Sequence, residues 1–334
     1  MRFDDFIGNR KVIDRLRLKL REGRFPHGLI FAGPEGVGKR TCALMVAKAL
    51  NCAQPGAAEF CDECTQCRKI DAGTHSDIVK VTVEDDASDI KIAQIRSLLQ
   101  TLELRPLEGK NKVFIIDPAD AMNLSSANAL LKGLEEPPDN SYFILLSPSP
   151  QSLLVTVRSR SQTYPFIPLT LEEMRTFGDD ELALRWSRGS IGRLKTLDLG
   201  ALLKRRSIAL DFLKTAIRAG DNDFRSLIGA SADLARSKGD FESNMDTIAI
   251  LVEDLLYARE GLAGKIVNID IENDLSLLAA EIEPAQFVQI ADFLRTIEIH
   301  STTHGNRQLM TDVLALTSNA VVGKLAHDIP AKSR

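Results

Sequence analysis

Hydrophobic spacing changes character partway along the chain. Up to about Pro168, short continuous apolar runs alternate with stretches in which apolar residues recur every three or four positions. Val12, Ile13, Leu16 and Leu20 suit one face of a helix; residues 27–32 form a compact strand-like run, followed by a glycine-rich loop and a predicted helix over 41–50. Further strand runs fall at 78–83, 113–117 and 142–147, with a helical pattern between them at Ile92, Ile95, Leu98, Leu99 and Leu102. Apolar strands alternating with helices predict a buried, mainly parallel sheet. Beyond Pro168 the strand signal stops. Residues 169–199 read as short helices around Gly189 and Gly192, and from Leu202 the spacing is helical almost to the end. Ile248, Leu251, Leu255 and Leu256 make one apolar stripe, and Phe287, Ile290, Phe293, Leu294 and Ile297 another; both read as helix-packing core. The pattern predicts an α/β plus all-α protein in three parts: an α/β domain over 1–168, a small helical domain over 169–200 and a C-terminal helical domain over 201–334.

Composition narrows this picture without naming a partner. The 334 residues are 44% hydrophobic, enough for two or three packed cores. The 42 Lys plus Arg against 46 Asp plus Glu give a net charge of −4, which argues against a free-standing, strongly basic nucleic-acid binder and leaves room for a local patch. No run reaches the roughly 18 apolar residues of a membrane span, and the charged first residues lack the apolar core of a signal peptide. The expectation is a cytoplasmic protein with no membrane partner. No fixed-period repeat or low-complexity tract is present.

Gly33, Pro34, Glu35, Gly36, Val37, Gly38 and Lys39 fit the phosphate-loop pattern G-x-x-x-x-G-K, between a buried strand and a helix start. Glycines let the backbone close round phosphate oxygens, loop amides and the helix N-terminus face the negative charge, and Lys39 adds a cation. The competing reading is an ordinary glycine turn. A hydroxyl normally follows the lysine and ligates Mg²⁺; here the residue is Arg40, which cannot coordinate a metal. Thr41 carries its hydroxyl one position later, and at about 100° per residue it is expected to point away from that site. Asp117 closes the apolar strand over 113–117 and suits the metal-holding carboxylate of a second nucleotide motif, or else merely ends a strand. Pro118 follows where a water-activating glutamate is usual, and proline accepts no proton. The residues imply ATP or ADP binding; Mg²⁺-assisted hydrolysis does not follow from them.

Four of the five cysteines, Cys52, Cys61, Cys64 and Cys67, lie within sixteen positions and are enough for a closed tetrahedral Zn²⁺ shell of a structural kind. An iron–sulfur cluster and unligated thiols are the alternatives. Cys42 stands apart as a small core residue.

A phosphate-loop domain with a four-cysteine insertion after its first helix resembles the bacterial DNA polymerase III clamp-loader subunits, which are AAA+ proteins. Gly73-Thr74-His75-Ser76-Asp77, the run from Asn128 to Pro138 (NALLKGLEEPP) and Thr156-Val157-Arg158-Ser159-Arg160-Ser161 carry the resemblance further, and it covers most of residues 5–195. Arg40 and Pro118 suit the delta-prime branch better than the ATP-hydrolysing gamma/tau branch. Phe6-Ile7-Gly8-Asn9 and Asn306-Arg307-Gln308-Leu309 look delta-prime-like too.

The resemblance implies an AAA+ domain with its zinc module at 52–67, a helical lid over 169–200 and an oligomerisation collar over 201–334. It implies gamma/tau and delta subunits as partners, and through the complex a sliding clamp and primer–template DNA. The reaction would belong to the polymerase holoenzyme and the loader rather than to this chain alone. Arg160, in Ser159-Arg160-Ser161 where the family has Ser-Arg-Cys, is implied as an arginine finger acting on a neighbour's ATP; otherwise it is a surface arginine in an ordinary ion pair. Arg193, in Gly189-Ser190-Ile191-Gly192-Arg193, matches the sensor 2 segment and is implied to approach this chain's own phosphate site; Ser147 falls in the sensor 1 region. His75 reads as a local hydrogen-bonding residue. The rival readings are a gamma/tau-like ATPase and a zinc-dependent DNA-binding protein.

Overall fold

The computed structural model describes residues 2–322 except 57–58, 86, 220–222, 236–237 and 302–305, with the backbone alone at 238–240 and 298–301. The first apolar stripe forms α1 (Arg10–Arg21), which buries Val12, Ile13 and Leu16. Asn9, just before it, exchanges hydrogen bonds with the backbone of Ile167 (3.1 and 2.8 Å), so the chain entering the domain is tied to the chain leaving its sheet. There follow β1 (Gly28–Ala32), α2 (Lys39–Asn51), α3 (Thr65–Ala72), β2 (Ile78–Val81), α4 (Ile92–Leu102), β3 (Lys112–Ile116), α5 (Leu124–Glu135), β4 (Ser141–Ser147), α6 (Val155–Ser159) and β5 (Gln162–Pro165).

The five strands are all parallel, in the order β2-β3-β4-β1-β5. Successive strand side chains point to opposite faces, and here both faces are covered. Leu29, Phe31, Val113, Ile115, Ile144 and Leu146 pack in one core with Val12, Ile13 and Leu16 of α1 and Val46 of α2. Ile30, Phe114, Ile116, Phe143 and Leu145 pack in the other with Ile95 and Leu98 of α4 and Leu130 and Leu134 of α5. This is why the strands read as unbroken apolar runs. Phe114 and Phe143 stack with ring centroids 5.1 Å apart, and truncating either to alanine costs about 3–5 kcal/mol. The sequence reading misses β5. Its residues, Gln-Thr-Tyr-Pro, include one fully buried side chain, Tyr164, and an edge strand tolerates such a polar, proline-ended sequence.

The remaining helices are α7 (Leu171–Met174), α8 (Glu181–Trp186), α9 (Ile191–Thr196), α10 (Leu199–Arg218), α11 (Phe224–Leu234), α12 (Lys238–Arg259), α13 (Glu272–Ala279), α14 (Pro284–Ser301) and α15 (Arg307–Val322). The chain forms two compact units, one of residues 1–179 with 187–196 and one of 180–186 with the chain from 197 onward. The short helices of 169–200 are therefore shared out. The Leu169 amide bonds the Gly189 carbonyl (2.9 Å) in the first unit. Trp186 Nε1 donates to Asn268 Oδ1 (3.0 Å) and Arg185 to the Ile266 carbonyl (2.8 Å) in the second.

The second unit is helical throughout its described residues apart from connecting turns. Both predicted stripes are core: Ile248, Leu251 and Leu255 of α12 meet Phe287, Ile290, Leu294 and Ile297 of α14 and Phe212 and Leu213 of α10. A buried polar group is satisfied within it. Asp254 accepts the Val267 and Asn268 amides (2.8 Å each) and Asn268 Nδ2 (2.7 Å).

Candidate phosphate site and metal centre

The glycine-rich loop leaves the C-terminal end of β1 and enters α2. Gly38 caps α2 at φ 98°, and a Cβ there would lie 2.7 Å from the Phe6 ring. Gly36 has φ 73°, and a Cβ would lie 2.2 Å from Ser190 Oγ. Only glycine meets both demands. The segment entering α9 packs against this turn: the Gly192 amide donates to the Gly36 carbonyl (3.1 Å) and Ser190 Oγ to the Glu35 carbonyl (2.9 Å). Val37, 1% exposed, roots the loop in the core. Lys39 Nζ bonds the carbonyls of Gly33 and Pro34, the latter at 2.8 Å, so the lysine closes over its own loop. Burial lowers its pKa from the ordinary lysine value, with Asp117 and Glu35 pulling the other way.

Arg40 and Asp117 meet. Arg40 Nε donates to Asp117 Oδ2 at 2.7 Å, joining the first turn of α2 to the end of β3. Each residue stands at a position that addresses a metal in a phosphate-loop nucleotidase. The sequence reading treats the two separately, although opposite charges at the two metal-directed positions are the signal that predicts their pairing. A cavity of about 640 Å³ opens beside them, lined among others by Gly36, Gly38, Lys39, Arg40, Thr41 and Asp117. Thr41, expected to point away, lines it as well. Phe6 and Lys195 also reach it, and sequence reasoning names neither as a site residue. Gly33 and Arg193 are not among the described lining residues; Arg193 is exposed, and its amide donates to Ser190 Oγ (3.1 Å). Ser147, at the end of β4, spends its hydroxyl on Ser149 O (2.8 Å) and Ser152 Oγ (2.7 Å).

The C-terminal end of α2 leads directly to the cysteines. One Sγ from each of Cys52, Cys61, Cys64 and Cys67 lies within 4.8 Å of the others, with Cys52–Cys61 at 3.5 Å and Cys52–Cys64 at 4.0 Å. Tetrahedral thiolates about 2.3 Å from a Zn²⁺ would stand about 3.8 Å apart, so the cluster fits a four-coordinate metal. The Cys61 amide donates to Cys52 Sγ and the Cys64 amide to Cys61 Sγ, each at 3.3 Å, which favours thiolate charge. Ion pairs fasten the module to the domain. Lys48, 4% exposed in its side chain, bridges Asp62 and Asp71, and Glu59 takes Arg17 (3.1 Å) and Arg21 (2.6 Å). Phe60 packs edge-on against Phe3, with centroids 5.4 Å apart.

His75 is buried, and its Nδ1 accepts the Asp77 amide (3.1 Å), a local role. Arg160 follows α6 and precedes β5. Its Nη2 pairs with Glu135 Oε1 (2.7 Å) and its Nη1 donates to the Thr156 carbonyl (3.1 Å). The Arg160 backbone lies against Gly28 at the start of β1, whereas the phosphate loop follows the end of that strand. About 13 Å of strand separates the two levels. Arg160 is thus out of reach of this chain's own cradle.

Residues 8–170 match the family described as "DNA polymerase III, delta subunit". The DNA polymerase III subunit tau of Bacillus subtilis is 27% identical over 337 residues, 99% of this chain and 55% of that protein. The delta' subunit of Bacillus subtilis is 40% identical over 159 residues, 48% of this chain and 47% of that protein. The tau subunit of Escherichia coli is 38% identical over 173 residues, 52% of this chain and 26% of that protein. The chain thus spans between 26% and 55% of the length of these relatives.

Proposed function

We propose, on the premise that residues 8–170 belong to the clamp-loader AAA+ family, that this chain is a delta-prime-like subunit of a DNA polymerase III clamp loader. It assembles with gamma/tau and delta subunits, through a collar formed by the helices from 201 onward, with 169–200 as the lid. The complex uses ATP to open a sliding clamp and set it on primer–template DNA in the cytoplasm. The observation that carries the assignment is the Arg40–Asp117 ion pair at 2.7 Å, which fills both metal-directed positions of the chain's own nucleotide site. Pro118 beside it offers no base. The chain's contribution to hydrolysis is Arg160, whose planar fork meets a neighbour's terminal phosphate once Glu135 lets go; its distance from the home cradle supports action in trans. The cradle takes ATP or ADP through Gly33, Gly36, Gly38, Lys39, Arg40 and Thr41, with Asp117 and Arg193 at its margin. Cys52, Cys61, Cys64 and Cys67 hold a structural Zn²⁺, supported by their sulfur separations.

The test is reconstitution with gamma/tau and delta subunits, comparing wild type with Arg160→Ala. ATPase of the assembled loader unchanged in the variant overturns the finger. A second reading, a gamma/tau-like ATPase, is favoured by the tau relative that aligns along 99% of this chain. Turnover by the isolated protein that vanishes in Lys39→Ala decides for that reading.

A further inference from the structure

The metal-directed groups of the phosphate site are committed to each other, and this bears on what the cradle binds. Phosphate-loop nucleotidases hold Mg²⁺ between a hydroxyl after the lysine and a carboxylate at a strand end. At the first position this chain has a guanidinium, which is donor-only and carries a fixed positive charge. At the second, Asp117 accepts Nε–H of that same guanidinium at 2.7 Å. A divalent cation wants an octahedron of oxygens about 2.0–2.1 Å away. Here it would meet one carboxylate already neutralised and a cation beside it. The residues do not fit Mg²⁺.

They do fit phosphate. Nε–H is spent on Asp117, which orients the planar head and leaves its two terminal amino groups in a fork suited to paired phosphate oxygens. The Arg40 side chain is 66% exposed and lines the 640 Å³ cavity together with Lys39, Thr41 and Lys195. The carboxylates on the lining are Asp5, Glu35 and Asp117. Asp117 is paired with Arg40 and Asp5 accepts the Arg2 amide (2.8 Å), and Lys39, Arg40 and Lys195 are the lining cations that an incoming anion meets, with the carboxylates of Asp5 and Glu35 beside them.

We propose that the cradle binds a nucleoside di- or triphosphate as its metal-free anion, with the Arg40 guanidinium taking the charge-neutralising place of the divalent cation. The proposal rests on the reading of 33–41 as a phosphate cradle. It makes the nucleotide a resident ligand, held by charge and loop amides, at a site with no base next to Asp117.

Binding of ADP and ATP to the full-length chain, by calorimetry in EDTA and in Mg²⁺, tests it. Wild-type Kd is expected to differ by less than about threefold between the buffers, while Arg40→Ser and Arg40→Gln lose at least about tenfold in EDTA. Arg40→Ser, which restores the hydroxyl, recovers with Mg²⁺; Arg40→Gln does not. Circular dichroism melting verifies that both variants fold, as exposure of the side chain leads one to expect. Wild-type binding that weakens about tenfold or more in EDTA overturns the inference and leaves the cradle standing. No nucleotide binding in either buffer overturns the cradle and the inference together, without touching Arg160, whose readout is the reconstituted loader.

Discussion

Replacing Asp77 with alanine should destabilise the first unit by about 3 kcal/mol, a figure that follows from its hydrogen bonds. The side chain is 1% exposed; Oδ1 accepts the Leu107 amide (2.8 Å), and Oδ2 accepts those of Glu108 (2.9 Å) and Gly109 (2.7 Å). These amides belong to the turn between α4 and β3. Glu108 in turn pairs with Lys69 and takes Gln66 Nε2 on its carbonyl (2.8 Å), so the same turn braces α3, the helix that carries Cys67. An orphaned buried donor costs about 1–3 kcal/mol, and because 107–109 are partly wet the lower end applies to each of the three. Asp77→Asn keeps one oxygen and should lose about half as much. For a unit of this size, 3 kcal/mol lowers its melting temperature by about 6–12 °C, read by calorimetry. Burial opposes ionisation of Asp77, but the amides of Gly109, Leu107 and Glu108 outweigh it and hold the carboxyl below its ordinary pKa. A depressed folded-state pKa gives stability that is complete above the unfolded value of about 4 and fades as pH falls further. The gap between wild type and Asp77→Ala should therefore be flat above about pH 4 and close below it. A melting shift under about 3 °C, or a gap that widens in acid, refutes the reasoning.

Three further outcomes are expected. Arg160→Ala should lower hydrolysis at the neighbouring site of the reconstituted loader by about 10³-fold or more, while the isolated chain, losing an exposed pair with Glu135, changes in stability by less than about 1 kcal/mol. Elemental analysis should find about one zinc per chain, and chelation should lower the melting temperature; metal-free protein with unchanged stability refutes a structural metal. Lys48→Met strips the shared cation from Asp62 and Asp71; since both carboxylates keep some solvent, the cost is about 1–3 kcal/mol, and the chelator should remove metal faster. Unchanged release kinetics would show that the bridge does not hold the module.

The most legible parts of the sequence were those where burial is two-sided or a spacing is chemically restrictive. The strands β1, β3 and β4 stand out because no solvent face interrupts their apolar runs. The glycines at 36 and 38 are legible because neighbouring side chains and positive φ exclude every other residue. The cysteines can be grouped by spacing, and the fold brings their sulfurs within 4.8 Å. What the sequence does not display depends on partners distant along the chain. β5 is recognisable only once β1 lies beside it. Lys195 reaches the cavity because Gly192 docks on Gly36, 156 positions earlier in the chain. Asp77 stands in a recognisable motif, but its part as acceptor for three amides is set only when the turn at 107–109 folds onto it. Arg40 departs from its motif and Asp117 matches one, and neither alone reveals that the two satisfy one another.

Placing the phosphate loop after one end of β1 and Arg160 beside the other gives the first unit a direction. A two-fold axis that brings finger to cradle does so reciprocally and stops at two chains. An assembly of more than two chains that carries the finger of each onto the cradle of the next is heterologous, head to tail, with a rotation repeated at each step. Such contacts close into rings if the rotation divides a full turn and otherwise leave a helical arc with two free ends. In an arc, one terminal chain offers a finger with no cradle to serve and the other a cradle with no finger. If the cradle of this chain works without a metal, as proposed above, the chain loses least by standing where its cradle is left unserved.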